Sequence, residues 1–414
     1  MSLLSLLEPQ FKTDLELFPS DKQQLSTTTV ESITIQGKKI NRYTNEFWTA
    51  KQRQASSLQE ISYRACFKPQ LPGFFIRLFT NEKDIVYDPF NGRGTTTLEA
   101  ALCGRKIIAN DINPLSRIFT EGRLFIPSYD ELSKRLDSIS FEKSAKADLD
   151  LSMFYHKKTE SEIVSIKQYL IERKKTKKED GLDKWIRMVA TNRLTGHSKG
   201  FFSVYTMPPN QAVSQGSQKL INIKLNQKPE YRDTKKIILK KTNDLLRNLT
   251  PVQHKNLLNA AKSAKFYSED ARNTKEIRSK SVQLTVTSPP FLDIVDYHQD
   301  NWLRGWFNNI DMVGVESNIT MSKTVEKWSE VMGKVFEELF RVTKTNGWVA
   351  FEVGELRNGK IKLDEYVFPL GINAGFTCEG IIINSQIFTK TSNIWGIKNN
   401  KRGTNTNRIV LFSK

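Results

Sequence analysis

The spacing of apolar positions along the chain predicts alternating strands and helices. Short apolar runs at 85–87 and 106–111 have the length of buried strands, and the second run ends in an acid. Between them a helix is predicted from Thr95 onward, with Gly104 as its C-terminal cap. The order of strand, tight loop, helix and strand predicts a βαβ unit, which is the beginning of a parallel sheet.

The same alternation resumes in the C-terminal third of the chain. A helix is predicted over 325–341, and strands are predicted at 265–270, 284–287, 348–353, 380–388 and 406–412. Residues 45–80 have the apolar spacing of helices, whereas residues 1–44 are mixed and polar and predict an irregular N-terminal arm.

The stretch between the two halves of the predicted sheet has a different character. Residues 128–255 are rich in lysine and have helical spacing around a loop-like centre that begins at Met207. We therefore predict an α/β protein in which a sheet domain, formed by 45–127 and 256–414, is interrupted by a mostly helical region at 128–255.

The net charge narrows the class of partner. The 414 residues include 63 Lys and Arg against 45 Asp and Glu, which gives a formal net charge of +18. This balance favours a polyanionic partner such as nucleic acid, because phosphate contacts supply most of the non-specific affinity for it. A basic surface that only keeps the protein in solution would give the same balance.

The number and spacing of the cysteines indicate the redox environment of the protein. Cys66, Cys103 and Cys378 form an odd and sparse set, which argues against a disulfide framework and is typical of a reducing cytoplasm. The chain has four histidines and no CxxC or Cys/His ligand spacing, so the sequence predicts no metal site. It also lacks a stretch of about 18 apolar residues, so no membrane span is predicted.

The loop after the first predicted strand carries the first chemical signal. Gly92 and Gly94 let the backbone turn sharply and approach a ligand, and the helix behind them presents free N–H groups. No Lys-Ser/Thr pair follows Gly94, and the third glycine of a dinucleotide fingerprint is missing, so neither a P-loop nor a dinucleotide loop is predicted. The segment is Asp88-Pro89-Phe90-Asn91-Gly92-Arg93-Gly94-Thr95-Thr96.

Three acids end three predicted strands. Asp88 suits a ligand with an amino group, such as the ammonium of methionine. Asp111 lies about twenty residues further on, where ribose hydroxyls are usually held, and Asp270 is placed to meet an adenine amino group. Each acid alone is more often a helix cap or a turn residue, but three of them beside a glycine loop favour a ligand site.

A second loop, Ser288-Pro289-Pro290-Phe291, follows the strand predicted at 284–287. Two consecutive prolines fix the backbone and remove N–H donors, which leaves Ser288 and the Pro289 carbonyl as acceptors. Phe291 supplies a flat apolar surface. An amino group on a planar base needs both features, although the tetrapeptide by itself is more often a plain turn.

Together the two loops resemble those of the amino-methyltransferase family of bacterial DNA modification enzymes, whose usual patterns are DPFxGxGTT and (D/N/S)PP(Y/F). The serine at 288 resembles the cytosine-N4 branch, whereas Asp or Asn is usual in adenine-N6 enzymes. Residues 63–71 are similar to the family's cofactor-binding region upstream of the glycine loop, and residues 403–412 to its last hairpin. The resemblance covers residues 45–127 and 256–414.

The resemblance implies a Rossmann-like, seven-stranded methyltransferase sheet in which 128–255 is a DNA-recognition insertion. It implies S-adenosylmethionine as methyl donor, no metal, double-stranded DNA as substrate, and a cognate restriction endonuclease as a partner that acts separately. The residues that it assigns to a flipped base are Ser288, Pro289, Pro290 and Phe291. Those that it assigns to the cofactor are Phe67, Pro69, Asp88, Pro89, Phe90, Gly92, Gly94, Thr95, Asp111 and Asp270.

The reaction expected from the resemblance is direct methyl transfer to N4 of a flipped-out cytosine. Hydrogen bonds from the amino group to Ser288 and to the Pro289 carbonyl would orient the nitrogen lone pair. No Pro-Cys pair is present, which disfavours the cysteine-nucleophile route of C5-cytosine enzymes. The alternatives are an adenine-N6 DNA methyltransferase, an RNA guanine-N2 methyltransferase and a non-catalytic DNA-binding protein on the same fold.

Overall fold

The structure is a computed structural model, and it describes a defined set of residues. These are 3–7, 27–48, 55–64, 66–208, 211–290, 297–319, 322, 324–356, 361–385 and 406–414. Phe291 of the predicted base-binding loop and residues 403–405 of the predicted last hairpin lie outside them.

Eleven strands occur among the described residues. Their bounds are β1 Thr29–Ile35, β2 Lys38–Asn45, β3 Ile85–Asp88, β4 Lys106–Asn110, β5 Lys265–Tyr267, β6 Val282–Thr287, β7 Thr343–Val353, β8 Glu355–Leu356, β9 Ile361–Lys362, β10 Thr377–Ser385 and β11 Thr406–Ser413. Nine of these strands form one mixed sheet in the order β1-β2-β10-β11-β7-β6-β3-β4-β5. The five strands from β5 to β7 in this order are parallel, and β11 is antiparallel to both of its neighbours.

The helices of the described residues cover both faces of the sheet. Their bounds are α1 3–7, α2 Gln70–Phe79, α3 Thr95–Leu102, α4 Leu115–Gly122, α5 Tyr129–Ser138, α6 Lys157–Lys175, α7 Gly181–Arg193, α8 Gln215–Lys224, α9 Thr234–Leu246, α10 Pro251–Ala261, α11 Tyr297–Asn308, α12 Met312–Asn318, α13 Val325–Val342 and α14 Leu363–Ala374. Across this set, none combines the length and the apolar composition that crossing a membrane requires.

The N-terminal hairpin makes the sheet wider than the seven strands that the resemblance implied. β1 and β2 pair antiparallel around the turn at Gln36 and Gly37, and β2 continues the sheet parallel to β10. The predicted irregular arm was therefore wrong for residues 29–44. Ile40 and Tyr43 of β2 are buried, so contact with the rest of the sheet stabilises this strand. Its mostly polar composition is the reason that the sequence did not predict a strand here.

Two other predicted elements are shorter than the sequence suggested. Among the described residues of 45–80, the helical spacing corresponds to an α-helix at Gln70–Phe79 and a single 3-10 turn at Ser57–Gln59, and other apolar residues upstream of Gln70 are buried in irregular chain. The Trp48 ring, for example, packs 5.5 Å from that of Phe74. The strand predicted to run to Asp270 ends at Tyr267, where the chain enters a turn.

Alternate side chains of the central strands enter two different cores. One core lies under α2, α3 and α4 and continues into the helices of 128–255, while α13 and α14 cover the other face. The lysine-rich region thus shares a core with the sheet. Trp185 of α7 is fully buried, and its Nε1 donates to Thr242 Oγ1 of α9 at 2.9 Å. The bounds of this region as a separate domain remain a prediction.

The close approach of α4 to α7 yields a stability prediction. A Cβ added to Gly122 would lie 2.8 Å from Met188 Cβ and 2.9 Å from the Lys184 carbonyl oxygen, so Gly122→Ala forces the helices apart. We expect a loss of about 1–3 kcal/mol in the free energy of unfolding, measured by urea denaturation. Gly216→Ala is the matched control, since open space surrounds Gly216. Equal stability of the two variants would contradict close packing between α4 and α7.

Candidate functional site

Both predicted loops leave the same edge of the sheet. β3 and β6 are parallel neighbours, with Val86 opposite Leu284 and Tyr87 opposite Thr285. The glycine loop therefore begins beside the loop at Ser288, although 199 positions separate Asp88 from Thr287 along the chain. The carboxyl edge of a parallel sheet, where two strands meet, is the usual place for a ligand site.

A hydrogen bond joins the two loops directly. The Thr287 hydroxyl donates to Asp88 Oδ1 at 2.6 Å, and the Phe90 N–H donates to the same oxygen at 3.1 Å. In the first turn of α3, the Thr96 hydroxyl donates to the Val286 carbonyl at 3.0 Å. Asp88, Phe90 and the Thr95–Leu102 helix are thereby held against the strand that leads to Ser288.

The Asp88 carboxyl is almost fully buried, at 1% exposure. Burial raises its pKa to about 7, and the hydrogen bonds from Thr287 and Phe90 oppose the rise. Because an Asp carboxyl ordinarily titrates near pH 4, this group is poised to change charge in the neutral range. A cation placed beside it would stabilise the carboxylate.

The two glycines of the loop differ in what surrounds them. Gly94 has φ +80°, and a Cβ at this position would collide with the Thr120 side chain. Gly92 has φ +51°, and the nearest atoms to its missing Cβ lie 3.9 Å away, so a ligand can approach its backbone. Pro89 and Thr95 at the two ends of the loop are buried.

Asp111 closes the glycine loop from the neighbouring strand. The Gly92 N–H donates to its Oδ2 at 2.7 Å, and the Asn113 N–H donates to its Oδ1 at 2.9 Å. Burial raises the pKa of Asp111 to about 6 against these two hydrogen bonds. Each carboxylate oxygen has a second lone pair, so the predicted contact with ribose hydroxyls is compatible with this role.

Asp270 has a competing partner. It lies three residues beyond the end of β5, and the Arg272 Nε donates to both of its oxygens at 2.9 Å. Arg272 lowers the pKa of this carboxyl, whose side chain is 41% exposed. An adenine amino group would therefore have to compete with Arg272 for Asp270.

The segment upstream of α2 runs beside the glycine loop. Tyr63 Cε1 lies 3.9 Å from the position that a Cβ at Gly92 would occupy. The Tyr63 ring packs edge-on against Phe119, with ring centroids 5.6 Å apart. Phe67 is half-buried against the core, and Pro69 is the buried residue before the first turn of α2. Tyr63 thus lies beside the glycine loop, and the cofactor-binding role of Phe67 and Pro69 stays a prediction.

The second loop is fixed by groups on both sides. Pro289 is buried, and Ser288 and Pro290 are half-buried. The Trp328 Nε1 of α13 donates to the Pro290 carbonyl at 3.0 Å, and the Ser288 side chain is hydrogen-bonded to Glu352. The sequence prediction missed Thr287, Trp328 and Glu352. Only Glu352 left a signal, as the one acid in an otherwise apolar run at 348–353.

The basic region at 128–255 is divided between structural and exposed cations. Asn192 and Arg193 are buried, and the Arg193 guanidinium lies 3.9 Å from the Phe201 ring centroid. Residues 197–199 are exposed. In the basic run at 173–178, Arg173 pairs with Asp183 at 2.7 Å, whereas its four lysines are exposed.

The groups at this edge suit a ligand that carries a cation and hydroxyls. Asp88 supplies a buried acid, Asp111 supplies a carboxylate beside the open backbone of Gly92, and α3 directs its N-terminus at the loop. S-adenosylmethionine has these groups, so the residues fit it. In the part of the chain that the structure describes, no three His, Cys, Asp or Glu side chains cluster as metal ligands would.

Comparisons with known proteins agree with this assignment. Residues 9–119 match the family model N6_N4_Mtase, described as DNA methylase. The orphan methyltransferase M.BamHII of Bacillus amyloliquefaciens is 44% identical over 62 residues, which are 14% of this chain and 23% of that protein. The type II methyltransferase M.MjaII of Methanocaldococcus jannaschii is 37% identical over 62 residues, or 15% and 12% of the two chains. The matched segments thus span less than a quarter of either relative.

Solved structures resemble the chain only weakly. TTHA0409 from Thermus thermophilus, complexed with S-adenosyl-L-methionine, is 21% identical with a TM-score of 0.23, over 35% of this chain and 53% of that chain. The rRNA methyltransferase aviRa from Streptomyces viridochromogenes is 8% identical with a TM-score of 0.32, over 86% and 89%. TM-scores this low carry no argument about this chain.

The family match and the site coincide along the chain. The matched residues 9–119 contain the Tyr63 segment, the glycine loop and Asp111. The Ser288 loop lies beyond the match and is joined to it by the bond between Thr287 and Asp88. Residues 9–119, which hold the glycine loop, are therefore similar to the DNA methylases that this family model describes.

Proposed function

We propose that this protein is an S-adenosylmethionine-dependent DNA methyltransferase that modifies N4 of a cytosine flipped out of double-stranded DNA. The observation that carries the proposal is the direct junction of the two loops, in which Thr287 donates to Asp88 at 2.6 Å. This junction places a loop suited to an amino group next to a loop suited to the methyl donor.

The donor is held by the glycine loop in this proposal. S-adenosylmethionine supplies an electrophilic methyl group on a sulfonium. The Asp88 carboxylate attracts the cationic methionine end, Asp111 accepts from ribose hydroxyls, and the open backbone at Gly92 allows close approach. Asp270 is the proposed acceptor for the adenine amino group, in competition with Arg272.

The Ser288 loop orients the amino group of the target base. The N–H groups of the base amino group donate to the Ser288 oxygen and to the Pro289 carbonyl, and Phe291 stacks on the ring of the base. These contacts favour a pyramidal nitrogen whose lone pair faces the donor, so that most of the rate gain comes from orientation. Extraction of the base from the duplex costs a few kcal/mol, which contacts with the loop and the phosphates must offset.

The region at 128–255 is the proposed DNA-recognition insertion. Its exposed lysines within 174–178 and the exposed segment 197–199 contact phosphates, which position the duplex without reading its sequence. A cognate restriction endonuclease is the proposed separate partner, and the cytoplasm is the proposed location. The serine at 288 supports cytosine N4 over adenine N6 as the target.

Methyl transfer from labelled S-adenosylmethionine to unmethylated double-stranded DNA tests the reaction. We expect N4-methylcytosine on nucleoside analysis of the product. Ser288→Ala removes an acceptor for the amino group, and should lower kcat by about 10- to 100-fold while cofactor affinity stays within about twofold. Ser281→Ala, at the opposite end of β6, is the matched control and should behave as the wild type.

The product decides between the alternatives. N6-methyladenine would keep the site and overturn the argument from serine. Label that enters RNA and no DNA would contradict a DNA substrate. If DNA binds and no nucleic acid is labelled, the protein is a non-catalytic binder and the proposed reaction is wrong.

The buried acid at the donor site predicts a pH-dependent cofactor affinity. The raised pKa of Asp88, about 7, means that this group becomes neutral as the pH falls through 7. A cationic ligand prefers the carboxylate, so the Kd for S-adenosylmethionine should rise by up to about tenfold per pH unit below 7. Calorimetric titration between pH 5.5 and 7.5 measures this slope.

Asp88→Asn is the control for the pH slope. The amide oxygen still accepts from Thr287 but carries no charge, so the affinity should be weaker at pH 7.5 and nearly flat down to about pH 6.5, above the pKa of Asp111, which is about 6. An equal slope in wild type and variant would assign the titration to another group and remove Asp88 from the cofactor site.

A further inference from the structure

A second buried acid lies on the other side of the Ser288 loop. Glu352 is the penultimate residue of β7 and is 8% exposed. The Asn407 Nδ2 of β11 donates to its Oε1 at 3.0 Å, and the Ser288 side chain forms a second hydrogen bond with its carboxylate. Since a carboxylate can only accept, Ser288 donates its hydrogen to Glu352.

The sheet register explains why these three side chains meet. Thr287 of β6 lies opposite Phe351 of β7, so the next residues along each strand, Ser288 and Glu352, are also neighbours. On the other side, Glu352 lies opposite Ile409 of β11, and Asn407, two residues from Ile409, shares its face. Three strands thus deliver the acid, the hydroxyl and the amide to the edge of the sheet.

The charge of Glu352 is balanced by hydrogen bonds. Burial raises the pKa of its carboxyl, and the bonds from Ser288 and Asn407 oppose that rise. Arg408 of β11 lies on the opposite face, where its Nη1 is 3.0 Å from Asp364 Oδ2. The acid on the other side of the loop, Asp88, is bonded to Thr287.

We infer that Glu352 is a positioning residue, which fixes the direction of the Ser288 hydroxyl so that the serine oxygen faces the target amino group as an acceptor. The inference rests on the proposed function and adds to it a residue outside both motifs. With its single hydrogen committed to Glu352, Ser288 presents only lone pairs to the base.

Loss of the negative charge would undo this arrangement. A protonated Glu352 can donate to the serine oxygen and so release the serine hydrogen to turn toward the base. The loop would then present a donor to an amino group that also donates. The two groups would repel each other, and the orientation needed for transfer would be lost.

Glu352→Gln tests the inference with little change in volume. At saturating DNA and cofactor, we expect kcat to fall by about 10²-fold, because the amide can donate to Ser288 and no longer fixes its direction. The KM for S-adenosylmethionine should stay within about twofold, which separates this effect from that of Asp88. In the wild type, kcat should fall at acid pH as Glu352 is protonated. Glu352→Gln should lack this fall, which is the acid limb of the pH profile of kcat.

Asn407→Ala provides an independent measurement. Its amide lowers the pKa of Glu352, so its removal should move the acid limb of kcat to higher pH. A variant that only disturbs the fold would lower kcat at every pH without this shift. Glu379→Gln is the matched control, since Glu379 lies near the opposite end of β10 and is bonded to Ser413.

The outcomes separate the inference from the proposed function. A wild-type protein without methyl transfer would contradict the proposed function and this inference with it. An active wild type with Glu352→Gln equal to it in kcat and pH profile would overturn the inference alone. If Glu352→Gln does not fold, as judged by circular dichroism, an unshifted limb in Asn407→Ala would overturn the inference instead.

Discussion

The hydrogen bond from Thr287 to Asp88 is the contact on which the candidate site depends. It joins the ends of two parallel strands, so the glycine loop and the Ser288 loop are held in a fixed position relative to each other. A carboxylate buried without partners would be costly, and here the partners are a hydroxyl and a backbone N–H of the loops themselves. The hydrogen bonds that oppose the burial-induced rise in the pKa of Asp88 also align the site.

Thr287 and Ser288, which are consecutive in the chain, form hydrogen bonds with buried acids on opposite sides of the Ser288 loop. Thr287 donates to Asp88 at the end of β3, and Ser288 is bonded to Glu352 near the end of β7. The two acids come from different strands because β6 lies between β3 and β7 in the sheet. The loop is thus anchored between two buried carboxyls, and Trp328 fixes its next carbonyl from α13.

Part of the large positive charge is structural. Arg123 is fully buried, and it donates to the Phe119 carbonyl at 2.9 Å and to the Leu58 carbonyl at 3.1 Å. Arg93 in the glycine loop donates to the Ile61 carbonyl at 3.0 Å. These cations brace the loop and its upstream segment from inside. Arg93 and Arg123 are therefore not available to phosphates.

The sequence by itself determined the α/β class, the alternation of strands and helices along the chain, and the two motifs. Short apolar runs, the glycines and the paired prolines act locally, so their signals are visible in the chain. The tertiary structure alone decided the N-terminal hairpin, whose polar strands are stabilised by contact with β10, and the burial of Asn192 and Arg193. It also decided the pairing of Glu352 with Ser288 across 64 residues, because strand register is set by the packed sheet and leaves no local trace in either segment.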